Sequence, residues 1–509
     1  MLTQAGSNNS IARNTLWNFL GLGVPIVVAV FAIPFLIKGL GTERFGLLTL
    51  AWVVMGYFGL FDFGLGRATT KFVAEYHGNG EFQALHGLIW TSATLHVGLG
   101  VLGGLILALL TPWLTTDVFK ITQALLAEAE LSFYLLAVSI PVIVVTAVFR
   151  GVLEGIHRFD LVNLVKIPAS VANFIGPLLV LLFTRNLAIV ILAIVLIRGI
   201  ALLVYFYLSL RLLPRLDNHY KFDKKVVKPL VSFGGWLTVS NLVNPVIVSL
   251  DRFLIGSLIS ISAVAYYATP YEVITKLWIF SASLLGALFP VFSALSVRQR
   301  LEIRALSNRA VIYLLVMVAP IVGLLLATAS DLLLVWVGED FKHQSTTVAM
   351  WLAIGTLINV LAQVPLTALH SIGRADITAK ISLVQAPFYA AAVWYMAQWY
   401  GIAGVAFTWA VRAAIEAGLL FVIADRLLPI EDKSGKRSFL VNKIITVSLC
   451  LLGFWGVSLL LSSMILIKIL VAFALLVLFS LWEWRYLLNE SDRKTLLGSS
   501  KAIMSGFLR

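Results

Sequence analysis

The sequence predicts an all-α polytopic membrane protein: about 14 transmembrane helices, in two pseudo-symmetric six-helix bundles plus two C-terminal helices. Three observations predict it. The 509 residues are 60% hydrophobic and only 12% charged, roughly half the charged share of a soluble domain. Apolar runs of about 20 residues recur along the chain, long enough to cross ~30 Å of hydrocarbon as helices. Between those runs the cations alternate between rich and poor connections.

Taken in order, the spans fall at 14–37, 45–66, 87–111, 131–149, 167–184, 187–210, 230–256, 264–290, 310–330, 346–372, 378–399, 401–424, 443–462 and 464–484. The last two are separated by a very short turn near Lys468. With the N-terminus inside, alternate connections carry Arg67/Lys71, Arg150/Arg158/Lys166, Arg211 through Lys228, Arg298/Arg300/Arg304/Arg309, Arg374/Lys380, Arg426 through Lys443 and the tail after Arg485. The opposite connections hold Lys38, Arg44, Lys120, Arg185, Lys342 and Lys468. This asymmetry places both termini in the cytoplasm. The net charge of +13 then reports topology and contact with anionic membrane lipids, not nucleic-acid binding.

The single cysteine, Cys450, lies in an apolar span, so no intrachain disulfide is expected. Residues 1–13 lack a cleavable signal pattern, which makes the first span the expected targeting signal. His77, His86, His96, His157, His219, His343 and His370 show no metal-ligand spacing, and neither a metal nor a cofactor is expected. The nearest approach to a phosphate-binding loop, Gly435-Lys436-Arg437-Ser438, has Ile430 where its first glycine belongs. ATP hydrolysis by this chain is therefore not expected.

Several features recur at nearly one offset, as in an internal repeat. Trp17 pairs with Trp236 and Pro25 with Pro245. Glu43-Arg44-Phe45-Gly46-Leu47 has a counterpart in Ala263-Val264-Ala265-Tyr266, and Arg158-Phe159-Asp160 in Arg374-Ala375-Asp376. Arg198 matches Arg412. The expected organisation is an N-terminal half at 1–210, a basic cytoplasmic linker at 211–228, a C-terminal half at 229–425, and an appendix at 426–509. An even number of spans per half gives both the same orientation, with the pseudo-axis along the membrane normal. Prolines inside spans, among them Pro34, Pro141, Pro177, Pro320, Pro365 and Pro387, bend helices where a cavity or neighbour accepts the freed carbonyl.

Phe61-Asp62-Phe63-Gly64-Leu65-Gly66-Arg67-Ala68-Thr69-Thr70-Lys71 closes the second span, and Leu250-Asp251-Arg252-Phe253-Leu254-Ile255-Gly256 is followed by Ala265-Tyr266-Tyr267. In these residues the chain resembles the polysaccharide-transport branch of the multidrug/oligosaccharidyl-lipid/polysaccharide exporter superfamily, over about residues 12–425. The resemblance implies a flippase of the bacterial inner membrane, carrying undecaprenyl-pyrophosphate-linked oligosaccharide from the cytoplasmic to the periplasmic leaflet. The implied partners are that polyprenyl-pyrophosphate-linked oligosaccharide and other glycan-assembly membrane proteins.

Charges inside spans mark the candidate site, because a central arginine costs ~2.5–3.5 kcal/mol on the insertion scale and faces protein or a wet cavity. Arg198 has Ile194, Val195, Ala201 and Leu202 as its helical neighbours, none able to pair with it. A guanidinium fork suits the oxygens of a pyrophosphate, which ranks Arg198 first as a substrate contact, Arg412 second and Lys276 third. The alternative for Arg198 is an interhelical salt bridge with Asp251 or Glu416. Glu416 lies four residues from Arg412, and Glu272 four from Lys276; these acids, with Asp62 and Asp251, are the candidates for ion coupling or gating. Arg252 reads as a snorkelling residue near a span end. Asn18, Asn241, Asn244, Asn359 and Gln363 are candidate sugar contacts, with interhelical hydrogen bonding as the equal alternative.

Other readings stay open. A multidrug or cation antiporter of the same superfamily would use Glu416 or Glu272. A flippase for a different lipid-linked precursor fits the same features. A glycan polymerase or ligase would need a large outer loop with catalytic groups, and a scaffold would not need central charges.

Overall fold

In a computed structural model the described residues are 23–58, 65–213, 222–230, 249–295, 300–428, 436–461 and 465–487; they form helices and connections, with no strand among them. Asn18, Asp62, Asn241 and Asn244 lie outside the described residues. The helices are α1 Gly23–Leu40, α2 Thr42–Phe58, α3 Leu65–Gly78, α4 Phe82–Trp113, α5 Gln123–Gly155, α6 Phe159–Leu181 and α7 Leu187–Leu212. After a short helix at 224–230 come α8 at 249–258, α9 Ile261–Ile274, α10 Trp278–Leu295, α11 Arg300–Trp336, α12 Glu339–Ser371, α13 Ala375–Leu427, α14 Lys436–Leu460 and α15 Ile465–Trp482. Each expected span corresponds to a helix described wholly or in part. Two spans merge in α13, where Gly401 (φ 58°, ψ −149°) breaks the helix between them. In hydrocarbon a helix satisfies its own backbone hydrogen bonds, which is why such runs adopt no other form.

Several helices outrun the spans. The 33 residues of α5 extend about 50 Å at 1.5 Å per residue, against ~30 Å of hydrocarbon. Hydropathy locates only the lipid-crossing part, so cations expected in connections stand on helices: Arg67 and Lys71 on α3, Arg300, Arg304 and Arg309 on α11. The expectation for Lys468 is corrected more strongly. It is no turn residue but lies inside α15, fully buried.

The chain forms two compact units: one runs to Thr269 and includes Ala386–Gly401, and the other comprises Pro270–Gln385 and the chain from Ile402 onward. In the first, α5 is the central helix, packed on α2, α3, α4, α6 and α7. Its approach to α4 depends on small residues: a Cβ at Gly100 would lie 2.5 Å from the Pro141 Cα, and one at Gly104 2.6 Å from the Ala137 carbonyl oxygen. Without a hydrophobic drive between helices in lipid, such backbone proximity supplies the packing contacts. The outward faces are apolar, with Leu109 81% and Phe183 89% exposed, as a lipid-facing surface requires.

In the second unit α11 is central, packed on α10, α12, α14 and α15. Here the buried Lys468 Nζ meets Asp331 Oδ2 at 2.8 Å and donates to Ser330 Oγ at 3.0 Å, fastening α15 to α11. Arg304 pairs with Asp425 across α11 and α13.

One pair of turns carries the repeat at atomic detail. At the end of α5, the His157 residue (φ 59°) precedes Arg158, whose amide donates to Leu153 O at 2.8 Å. At the end of α12, Gly373 (φ 78°) precedes Arg374, whose amide donates to Leu369 O at 2.9 Å. Both helices thus end in a left-handed cap. Arg158 then donates from Nε and Nη2 to Asp160 at 3.0 and 2.9 Å, and Arg374 to Asp376 at 2.9 and 3.4 Å.

Candidate functional site

Arg198 is positioned by α7, whose start is fixed twice. The Asn186 side chain caps the helix, accepting from the Ala188 amide at 2.9 Å, the role short polar side chains serve at N-caps. The Leu187 amide donates to Glu128, and Glu128 is itself held by Arg44 Nε at 2.8 Å and Nη2 at 2.9 Å. Ile191, Ile194 and Val195 bury one face of α7, and Tyr205 donates to Val162 O at 3.0 Å. That leaves Arg198 half-buried at mid-helix, roughly 16 Å from the helix start at 1.5 Å per residue. Its Nε is shielded without an acceptor, and the guanidinium has no anionic or hydrogen-bonding partner among the described residues. Of the alternative partners, Asp251 in the same unit is engaged elsewhere, and Glu416 is paired with Arg412 on its own helix.

Asp251, fully buried on α8, accepts from Tyr267 OH at 2.6 Å and from the Arg252 amide at 2.8 Å. Arg252 is only 7% exposed, which corrects the snorkelling expectation; the packing of α8 encloses it before it can reach a surface. Glu416 accepts from Arg412 Nη1 at 3.0 Å, with side chains 16% and 11% exposed. Glu272 meets Lys276 at 3.2 Å in a more open position, 27% and 40% exposed. Both i,i+4 pairs expected from spacing are therefore present.

Asn359 and Gln363 stand one turn apart on α12, the Gln363 Nε2 donating to Asn359 Oδ1 at 3.4 Å. Gln363 lines a cleft of about 580 Å³ between α10 and α12, and Asn359 does not. Trp409, fully buried, stacks edge-on against Tyr271 with centroids 6.1 Å apart, so this tryptophan is packing rather than cavity lining.

Sequence reasoning missed Asp331, Glu128 and Glu483. The first two are partners of cations assigned to connections, and only tertiary contact reveals them. Glu483 opens a π-helical turn after α15; it is 1% exposed and both carboxylate oxygens lack a partner among the described residues. A π-turn at the end of a membrane helix has no signature in hydropathy. Among the described residues no cluster of three or more metal-ligating side chains occurs.

The pattern of the polysaccharide biosynthesis protein family matches residues 11–296. The chain belongs to that family. A "Putative O-antigen transporter" of Shigella flexneri is 30% identical over 423 residues, spanning 83% of this chain and all of the relative. An "Uncharacterized membrane protein EpsK" of Bacillus subtilis is 23% identical over 355 residues, 69% of each. Two solved structures share the fold. The lipid II flippase MurJ in an inward closed conformation aligns with a TM-score of 0.71 at 14% identity, over 93% of this chain and all of that one. An inward-facing multidrug resistance MATE family transporter of the MOP superfamily aligns at 0.68 with 16% identity, over 81% of this chain and 98% of that one. The family member described here is thus a multi-pass membrane protein with a transporter fold shared by flippases and drug exporters.

Proposed function

We propose that this protein is a flippase that moves a polyprenyl-pyrophosphate-linked oligosaccharide from the cytoplasmic to the outer leaflet of the bacterial inner membrane during surface polysaccharide synthesis, with both termini in the cytoplasm. The observation that carries this reading is Arg198, a cation at mid-helix with no anion beside it among the described residues. An unpaired guanidinium in a membrane helix persists where an anion visits it, and a pyrophosphate offers oxygens at the spacing of its fork. The O-antigen transporter name of the Shigella relative and the family description support the same cargo class. A cation exporter would use Glu272 or Glu416, yet each is held by a lysine or arginine one turn away.

In this mechanism two six-span halves, 1–210 and 229–425, alternate in access while the polyprenyl tail stays in lipid. Arg198, with Arg412 and Lys276, compensates the pyrophosphate, and Asp62, Asp251, Glu272 and Glu416 supply gating or coupling. The test is export of the glycan by cells carrying Arg198→Ala and Arg198→Lys, with protein level measured in the membrane. Loss of export at normal level in Ala, with partial return in Lys, is expected. Normal export by Arg198→Ala would remove the anion-binding role and the reading built on it.

A further inference from the structure

The cleft between α10 and α12 has a lining chemistry that differs from that of Arg198. Its volume of about 580 Å³ falls within the ~300–1,000 Å³ of small-molecule sites. Trp278 forms one wall; its indole N–H is shielded, so it offers the cleft ring surface. Opposite stand Gln363, Thr367 and His370 of α12, with Ser281 and Gly286 from α10. Among the described residues no Asp, Glu, Lys or Arg lines it.

The hydrogen-bonding capacity left over is mostly accepting. Ser281 donates to Trp278 O at 3.0 Å and Thr367 to Gln363 O at 2.7 Å, so each hydroxyl presents lone pairs. Gln363 spends an N–H on Asn359 and keeps its carbonyl oxygen. His370 Nε2 meets Thr378 Oγ1 at 2.9 Å, leaving Nδ1. An aromatic face with neutral acceptors around it matches a ligand with an apolar C–H face and a rim of O–H and N–H donors, which is a sugar ring. Ala282, Leu285 and Phe289 complete the lining with apolar surface; the lack of charge disfavours a phosphate there, and the acceptors of Gln363, Thr367, Ser281 and His370 are groups that an acyl chain would leave unused.

We propose that the α10–α12 cleft is a neutral-sugar subsite, in which Trp278 stacks on a glycosyl ring while Gln363, Thr367, Ser281 and His370 take its hydroxyl and amide protons. The inference rests on the flippase reading and assigns the glycan part of that cargo to a defined place. Gly286 is the built-in lever for testing it, because a Cβ there meets nothing within 4 Å and a side chain at this position narrows the cleft.

The experiment measures binding to purified full-length protein in lipid nanodiscs, using two probes. One is undecaprenyl pyrophosphate, and the other is the lipid-linked oligosaccharide extracted from membranes of cells that lack this protein. Wild type is expected to bind the glycan-bearing lipid about tenfold more tightly, the scale of one net hydrogen bond. Gly286→Leu, Trp278→Ala and Gln363→Ala are expected to erase that increment while leaving affinity for undecaprenyl pyrophosphate unchanged, which also shows that the variants fold. Arg198→Ala is expected to weaken both probes alike. Equal binding of the two lipids by wild type, or an increment that survives Gly286→Leu and Gln363→Ala, overturns the subsite alone. Failure of wild type to bind either lipid overturns the flippase reading and the subsite with it.

Discussion

Arg198 and Arg412 stand at corresponding places in the two repeats, Arg198 eleven residues beyond Leu187 at the start of α7 and Arg412 eleven beyond the break at Gly401. Their surroundings differ. Arg412 has Glu416 at 3.0 Å, so its charge is balanced within the protein. Arg198 has no such partner among the described residues. Equivalent position therefore does not give equivalent surroundings: one arginine is paired on its own helix, and the other is not. One helical turn of sequence, Glu416 against Leu202 at the fourth position, makes that difference.

The sharpest way to break this comparison is to remove both cations in turn and read transport and stability separately. Arg198→Leu is expected to reduce export by two orders of magnitude or about 3 kcal/mol, while thermal stability in detergent stays level or rises, since an unpaired, partly buried cation costs solvation. Arg412→Leu should do the reverse in emphasis. It strands Glu416 and is expected to lower stability by about 3–5 kcal/mol, seen as a reduced melting temperature and membrane level. If Arg412→Leu left the melting temperature intact, the pair would not be structural.

The double replacement Arg412→Leu with Glu416→Leu is expected to recover most of that loss, because apolar residues of similar volume replace a buried pair at little cost. A double-mutant cycle on melting temperature gives the coupling directly. At Lys276 and Glu272 the side chains are 40% and 27% exposed, so Lys276→Ala is expected to change stability by only ~0–1 kcal/mol. The smallest effect is expected at Glu483: Glu483→Gln keeps the shape of a buried, unpartnered acid and should leave the melting temperature unchanged or slightly higher.

The membrane class, the spans and the local ion pairs were legible in the sequence because each is set by neighbours along the chain. Hydropathy over ~20 residues locates a crossing, and spacing of four brings Arg412 to Glu416. Even the repeat was legible, and the turns at Arg158 and Arg374 show it in the same cap and the same arginine–aspartate clasp. What escaped was partnership at long range. Lys468 reads as a connection cation, yet Asp331, 137 positions earlier, receives it inside the fold; Arg44 likewise meets Glu128.

The sequence by itself determined that this chain crosses a membrane many times as two related sets of helices, since the cost of unpaired backbone groups in hydrocarbon permits little else. It also determined that Arg198 has no partner on its own helix. Only the tertiary structure decided that no other described helix of its unit brings an acid to Arg198, that Arg252 and Lys468 are enclosed, and that Gln363 opens onto a cleft while Asn359 does not. Those outcomes depend on which helix faces meet, and facing is fixed by close packing across the whole unit rather than by any local run of residues.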